Sequence, residues 1–142
     1  MAREAALEDL YNGLTTMARR SRDVGDDLHP GLSVVAYTLL TEISLTPGAR
    51  AADLSVHFGL DKSTVSRQLE QLISAGLLRR EEERPGRRGN TLALTPAGEQ
   101  HLAGAAQAIR SRLAEWLIDW NDRDLATFAE LVARFNMSRN RA

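Results

Sequence analysis

The segment GLDKSTVSRQLEQLISAGLLRREEERPGRRGNTLALTPAG, residues 59–98, contains one strongly patterned helix followed by an arginine-rich turn. Asp61 precedes the helical pattern and Gly76 follows it. One face of the pattern is apolar and consists of Val65, Leu69, Leu72 and Ile73. An aspartate caps a helix N-terminus and a glycine ends a helix, so the segment predicts an amphipathic helix between them.

The opposite face of this helix is polar and built mainly from short side chains. At 100° per residue it comprises Ser63, Arg67, Gln71 and Ser74, flanked by Thr64, Ser66 and Glu70. A shorter helix is predicted before it, with Thr46 as N-cap, Pro47 in the first turn and Gly59 as its stop. Two short helices joined by a tight turn are typical of a helix-turn-helix, whose second helix reads the major groove. An ordinary surface helix has the same composition and remains the alternative.

The residues after the helix predict a β-hairpin, with strands over 78–83 and 91–94. Arg84-Pro85-Gly86-Arg87 fits a type II turn between them, because Pro85 and Gly86 occupy its two central positions. Arginines at such a tip can neutralise phosphates or enter a narrow minor groove. The glutamates at 81–83 are expected on the hairpin arms, paired with nearby arginines. A solvated loop of mixed charge is the alternative.

Outside this segment the pattern is helical. Residues 4–22 predict an amphipathic helix ended by RDVGDD, and residues 32–45 predict a buried central helix, with a strand as the alternative. After Pro96, helical spacing runs to about Trp120, and Asn121 or Asp122 can cap a last helix. Such apolar faces at both ends of a small chain favour burial against a partner, while packing within the chain is the alternative.

Composition excludes several classes of function. The 142 residues carry a net charge of -1 and no cysteine, which excludes disulfides, thiolate metal sites and thiol sensing. No apolar run is long enough for a membrane span or signal peptide, so a cytoplasmic location is expected. Residues 62–90 hold seven basic and four acidic side chains, so the positive charge is concentrated locally.

No motif of a catalytic or metal site is present. The histidines, His29, His57 and His101, lie far apart, and the chain has no HExxH, glycine-rich phosphate loop or GxSxG sequence. An enzyme is therefore not expected, nor is a cofactor. Surface or capping roles explain the histidines better than a zinc site assembled in the fold. His57 is also placed where it can touch a phosphate.

Together, GLDKSTVSRQLEQL, AGLLRR, the arginine-containing hairpin and LALTPAG closely resemble the winged helix-turn-helix of the MarR-type transcriptional regulators. The resemblance covers roughly residues 30–102. It implies a mainly α chain with a small β-hairpin (α+β): dimerisation helices over 1–29 and 99–142 flank a DNA-binding domain over 30–98. It further implies a ligand-responsive regulator, most often a repressor, that binds a pseudo-palindromic operator as a homodimer.

The resemblance and the local pattern together give the expected sites. DNA contacts are expected from Lys62, Ser63, Thr64, Ser66, Arg67, Gln71, Arg84, Arg87 and Arg88. A small aromatic or phenolic effector is expected in a cleft with Met17, His29 and Tyr37 as candidate contacts. The alternative function is a winged-helix protein-interaction module without specific DNA binding, which the weak net charge and the glutamate run permit.

One position departs from the family pattern. The wing usually has an aspartate two residues before the tip arginine, and Gly86 occupies that place before Arg88. The wing arginine is therefore expected to be less preorganised, unless one of the glutamates at 81–83 replaces the missing carboxylate.

Overall fold

The computed structural model describes residues 1–28, 31–82 and 90–139. Its regular elements are α1 (Ala2–Leu28), α2 (Val34–Leu45), α3 (Ala51–Phe58), α4 (Lys62–Ser74), β1 (Leu78–Glu82), β2 (Asn90–Leu94), α5 (Pro96–Trp116) and α6 (Asp122–Arg139). The predicted mainly α chain with one β-hairpin is confirmed. The chain divides into two compact units, Met1–Ile109 and Arg110–Ala142.

The core of the first unit is built around α2, as its all-round apolar sequence predicts. Leu39 and Leu40 of this helix are completely buried. They belong to one apolar cluster that also includes Leu54 of α3, Val65, Leu69 and Leu72 of α4, and Leu78, Leu92 and Leu94 of the hairpin. Leucine and valine side chains from five elements therefore fix α4 and the hairpin on one scaffold. The alternative of a strand over 32–45 is wrong.

The helix-turn-helix begins later than predicted. Thr46 ends α2 because its backbone N–H and its hydroxyl both bond to Glu42, and α3 begins only at Ala51. The bond from the Ala49 N–H to the Thr46 carbonyl, with Gly48 at a φ of 78°, fits a type II turn around Pro47-Gly48. The Ala49 carbonyl then accepts a 2.8 Å bond from the Leu92 N–H of β2. Ala49 therefore pairs with β2, and residues 46–50 lie before the start of α3.

Two other predicted helix ends differ from the structure. Helix α1 passes through RDVGDD and ends at Leu28, because a single glycine without a proline costs a helix only about 1 kcal/mol. Helix α5 ends at Trp116, and a turn closed by the bond from the Trp120 N–H to the Leu117 carbonyl precedes α6. None of the helices in the described ranges is long and apolar enough to cross a membrane.

The hairpin is antiparallel, with Leu78 opposite Leu94 and Glu82 opposite Asn90. Thr95 joins it to α5: its N–H donates to the Leu77 carbonyl over 3.1 Å, and its hydroxyl accepts from the Gly98 N–H over 3.0 Å. Gly98 is packed so closely on this junction that a Cβ there would overlap the Leu77 carbonyl oxygen. Leu77, which follows α4, and Gly98, in the first turn of α5, are therefore in direct contact.

The second unit is dominated by α6. Asn121, one of the two predicted caps, accepts a 2.9 Å bond from the Asp124 N–H and so begins this helix. The Trp120 and Phe128 rings lie 5.5 Å apart between centroids. No described residue of α6 is buried, and its exposed apolar residues are Leu125, Phe128, Leu131, Val132, Phe135 and Met137.

Candidate nucleic-acid interface

The turn between α3 and α4 has the geometry that the sequence predicts. Gly59 adopts a left-handed conformation, φ 60° and ψ 30°, which permits the chain to leave α3 sharply. Asp61 then caps α4 by accepting a 2.7 Å bond from the Thr64 N–H. The side chains of Phe58 and Leu60 pack against the core and hold the turn down. The orientation of α4 is therefore fixed at its first residue.

The carboxylate of Asp61 collects three hydrogen bonds. Besides the Thr64 N–H, it accepts from the Ser63 and Thr64 hydroxyls, each over 2.9 Å. The bond from the Thr64 hydroxyl is the largest cause that lowers the pKa of Asp61, followed by the Thr64 N–H and the Ser63 hydroxyl. Arg67 lowers this pKa further by its charge. The cap is therefore anionic at neutral pH.

These bonds restrict what the two hydroxyls can offer to a ligand. A hydroxyl has one proton to donate and two lone pairs that accept. Since Ser63 and Thr64 both donate to Asp61, each presents only acceptor capacity on its outer side. In this arrangement they can accept from base amino groups, whereas a bond to a phosphate oxygen requires the proton to be released from Asp61.

The predicted DNA-reading face of α4 is a continuous exposed strip. Its exposed members are Lys62, Ser63, Ser66, Arg67 and Gln71, and Thr64 is half-buried. On the other side Val65, Leu69 and Leu72 are buried, so the polar residues cannot turn inward. A helix held this firmly, with short side chains on its outer side, has the dimensions and chemistry required in a major groove.

The arginines on the first hairpin strand are engaged within the chain. Arg79 donates to the Leu94 carbonyl over 3.0 Å and pairs with Glu81 over 2.7 Å. Arg80 pairs with Glu70 of α4. The expected pairing between the glutamate run and nearby arginines is therefore present for Glu81. The predicted tip arginines, Arg84, Arg87 and Arg88, and the Pro85-Gly86 turn lie outside the described residues.

A cavity of about 450 Å³ lies beside α4 in the first unit. Its polar lining comes from Ser33, Gln68, Gln71 and His101, and its apolar lining from Leu32, Ala36, Leu72 and Leu77. The Ser33 hydroxyl reaches the Gln68 amide oxygen over 3.4 Å. Gln71 belongs both to this cavity and to the exposed strip of α4. The sequence did not identify Gln68 and His101 as cavity residues, because these residues are distant in the chain and line one cavity only in the folded structure.

The predicted effector contacts do not meet at this cavity. Met17 is 62% exposed on α1 and Tyr37 is half-buried on α2, and neither lines it. His29 lies outside the described residues. The Nε2 atom of His57 lies 3.8 Å from a carboxylate oxygen of Glu42 on α2. In the described ranges no three residues of the histidine, aspartate and glutamate types come together as a metal site.

Comparison with known proteins supports these features. Residues 31–89 match the sequence model of the MarR family. The chain is 29% identical over 138 residues, 96% of both chains, to an uncharacterized HTH-type transcriptional regulator, YxaD, of Bacillus subtilis strain 168. It is 30% identical over 105 residues to a putative transcriptional regulatory protein for the hcr operon of Thauera aromatica, which is 74% of this chain and 61% of that one.

Solved structures agree in fold. The crystal structure of a MarR family transcription regulator matches with a TM-score of 0.78 at 22% identity, covering 99% of both chains. The fold of this chain is therefore a winged helix-turn-helix fold.

Proposed function

Because this chain belongs to the MarR family of transcriptional regulators, we propose that it binds a pseudo-palindromic DNA operator as a homodimer, represses transcription there and releases the DNA when a small effector binds. As a member of this family it is a regulator and not an enzyme. We propose that residues 30–98 bind DNA and that residues 1–29 and 99–142 form the dimer. The proposed location is the cytoplasm, where the DNA lies.

The observation that carries the proposal is the exposed polar strip of α4, held by the Asp61 cap and by its buried opposite face. Arg67 and Gln71 lie one turn apart on it, and both side-chain types make bidentate contacts with base edges in the major groove. Lys62 lies in the first turn of α4, and its proposed partner is a phosphate. Contacts from Arg84, Arg87 and Arg88 to phosphates or the minor groove complete the proposed interface.

Homodimer formation is supported by the apolar residues that α1 and α6 leave exposed. On α1, Leu7, Leu10 and Met17 are about half exposed or more. On α6 the exposed large apolar residues from Leu125 to Phe135 recur at spacings of three and four. Helices with such a stripe normally bury it against another helix. In a symmetric dimer the two recognition helices reach half-sites about one helical turn of DNA apart.

An effector site is supported by the cavity beside α4. A volume of about 450 Å³ falls within the range of small-molecule sites, and its mixed lining suits a flat apolar molecule with a polar group. Since Gln71 faces this cavity and also belongs to the reading strip, an occupant can alter how α4 meets DNA. We propose that a small aromatic or phenolic effector binds in this cavity. Met17 and Tyr37 do not line it, and with His29 they stay candidates for a different effector position.

Fluorescence anisotropy tests the central proposal. A labelled duplex with the upstream sequence of the protein's own gene is titrated with the protein, beside a scrambled duplex of equal length. Regulation predicts saturable binding that prefers the upstream duplex and weakens at least tenfold between about 50 and 200 mM salt. Absence of binding to both duplexes at low salt contradicts it and favours a winged-helix module that binds proteins.

A thermal-shift screen tests the effector proposal. Aromatic acids and phenols that raise the unfolding temperature are then added to the protein–DNA complex. Release of the labelled duplex at the concentration that stabilises the protein is the expected result, because a ligand shifts an equilibrium only by its preference for one state. Stabilising compounds that leave the complex intact contradict the proposed response.

A further inference from the structure

An ion pair links the recognition helix directly to the first strand of the hairpin. Glu70 of α4 and Arg80 of β1 are in contact, although ten positions separate them in the chain. Their side chains are 56% and 43% exposed, so the pair lies at the surface, away from the leucine cluster that packs α4 on β1. It is therefore a second connection between the two elements that the proposal above brings to DNA.

The neighbouring arginine has a different task. Arg79 donates to the Leu94 carbonyl and to Glu81, and so ties β1 to its partner strand and to its own strand. Successive side chains of a strand point to opposite faces. Arg80 accordingly points to α4 and Arg79 does not. Arg79 thus connects the two strands of the hairpin, and Arg80 connects the hairpin to α4.

The negative charge of Glu70 is unfavourable for DNA binding, because this residue lies beside the proposed DNA-reading strip. It flanks the exposed residues Arg67 and Gln71, where a carboxylate repels the phosphates of a bound duplex. By charge alone, its removal should tighten binding to any DNA. If Glu70 nevertheless favours DNA binding, it must do so through its contact with Arg80.

We propose that the Glu70–Arg80 pair is a positioning device, which sets the hairpin at the angle to α4 that lets both elements engage one stretch of duplex. This inference rests on the proposed DNA-binding function. Arg80 is accordingly not a phosphate contact, and Glu70 favours operator binding in spite of its charge. An exposed ion pair changes an equilibrium by up to about fivefold, and this sets the size of the effect.

The test compares two glutamates of equal charge. Glu70→Ala removes the pair, whereas Glu82→Ala removes a carboxylate from the end of β1 that forms no ion pair with a described residue. Affinity for the upstream duplex is expected to fall about two- to fivefold in Glu70→Ala. In Glu82→Ala it should stay equal or rise. The inference is overturned if Glu70→Ala binds as tightly as the wild-type protein or more tightly.

Arg80 provides the independent half of the experiment. Arg80→Gln is expected to weaken binding as much as Glu70→Ala with an unchanged salt slope, Arg80→Lys to recover most of the loss, and the double variant Glu70→Ala/Arg80→Gln to be no weaker than either single one. A salt slope reduced by about one, or additive losses, makes Arg80 a phosphate contact and overturns the inference.

Circular dichroism melts fix a temperature at which all variants are folded, so that lost structure is not read as lost positioning. The two proposals also fail differently. If the wild-type protein itself shows no preference for the upstream duplex, the proposed function falls. If the wild type binds and only the comparison of Glu70 with Glu82 comes out reversed, the function stands and the positioning device falls.

Discussion

Arg67 is the side chain of α4 that we propose reads a base. It is exposed midway along the helix, and its neighbours on the strip, Ser63 and Ser66, are short enough to let the helix approach the groove. A bidentate arginine–guanine contact discriminates against the wrong base by about 1–3 kcal/mol. Arg67→Ala is therefore expected to lose that amount on the operator and much less on random DNA.

The measurement is anisotropy on operator and scrambled duplexes, with Lys62→Ala as the comparison. Lys62 is proposed to contact phosphate, so its loss should be similar on both sequences. If Arg67→Ala weakens both duplexes equally, it too is a phosphate contact and the base must be read elsewhere.

Gly98 is required by close packing. Gly98→Ala places a methyl group on the Leu77 carbonyl oxygen, and overpacking of this kind costs about 1–3 kcal/mol of unfolding free energy or more. Gly104→Ala, on the same helix, meets nothing within 4 Å and should instead stabilise by about 0.5–1 kcal/mol. Urea unfolding of both variants checks the pair. Equal effects contradict the described junction between the α4 turn and α5.

For single side chains, the sequence predicted exposure better than contacts. The polar strip followed from helical period, and the pairing of Glu81 with a nearby arginine followed from charge. The close packing at Gly98 and the presence of Gln68 and His101 in one cavity did not, because both depend on segments brought together by the leucine core. The conformation of the arginine-rich turn, including the effect of Gly86, stays a prediction.

The N-terminus of α4 depends on one carboxylate. Because the pKa of Asp61 is lowered in the folded chain, its ionisation stabilises the fold above the unfolded pKa near 4, and this contribution is lost as the pH falls through the folded value. Asp61→Ala should lower the unfolding temperature at pH 7 by removing the cap. Asp61→Asn keeps an acceptor for the Thr64 N–H and should lower it less.

Thermal melts between about pH 6 and about pH 3 separate the contribution of the cap hydrogen bond from that of the charge on Asp61. The difference in unfolding temperature between the wild-type protein and Asp61→Asn is expected to narrow as the pH falls. A constant difference means that the ionisation of Asp61 is not coupled to folding.

The start of α3 shows where local rules compete. Thr46-Pro47 is a valid helix start by its residue types, but Pro47-Gly48 is also a turn signal, and the turn prevails. The reason is non-local: the Ala49 carbonyl is needed by the Leu92 N–H of β2. The sequence contained the competing signal in Gly48, whereas the bond that decides between them was visible only in the fold.

The stripe of α6 is expected to hold two copies together. Leu131→Glu puts a charge into the stripe, and Ala126→Glu puts the same charge on the opposite side of the helix. Light scattering should find that Leu131→Glu shifts the protein toward monomer, while Ala126→Glu remains a dimer at the same concentration. A monomeric wild type, or a dimer that tolerates both changes, contradicts dimerisation through α6.

Periodicity predicted these apolar faces on α1 and α6, and the structure leaves them exposed in the single chain. Period alone does not identify what covers them, since a stripe looks the same whether it packs within a chain or between copies. The family assignment supplies the expectation of a dimer, and solution measurements on the whole protein test it.

The bonds from Ser63 and Thr64 to Asp61 also determine how the protein can acquire a new target sequence. A substitution at either position changes the hydrogen bonds that Asp61 accepts together with the surface proposed to meet the bases, so stability and the proposed recognition change together there. Ser66 and Gln71 do not donate to Asp61. Libraries that diversify Ser66, Arg67 and Gln71 while retaining the Asp61 cluster should therefore yield more folded variants with altered operators than libraries centred on the first turn.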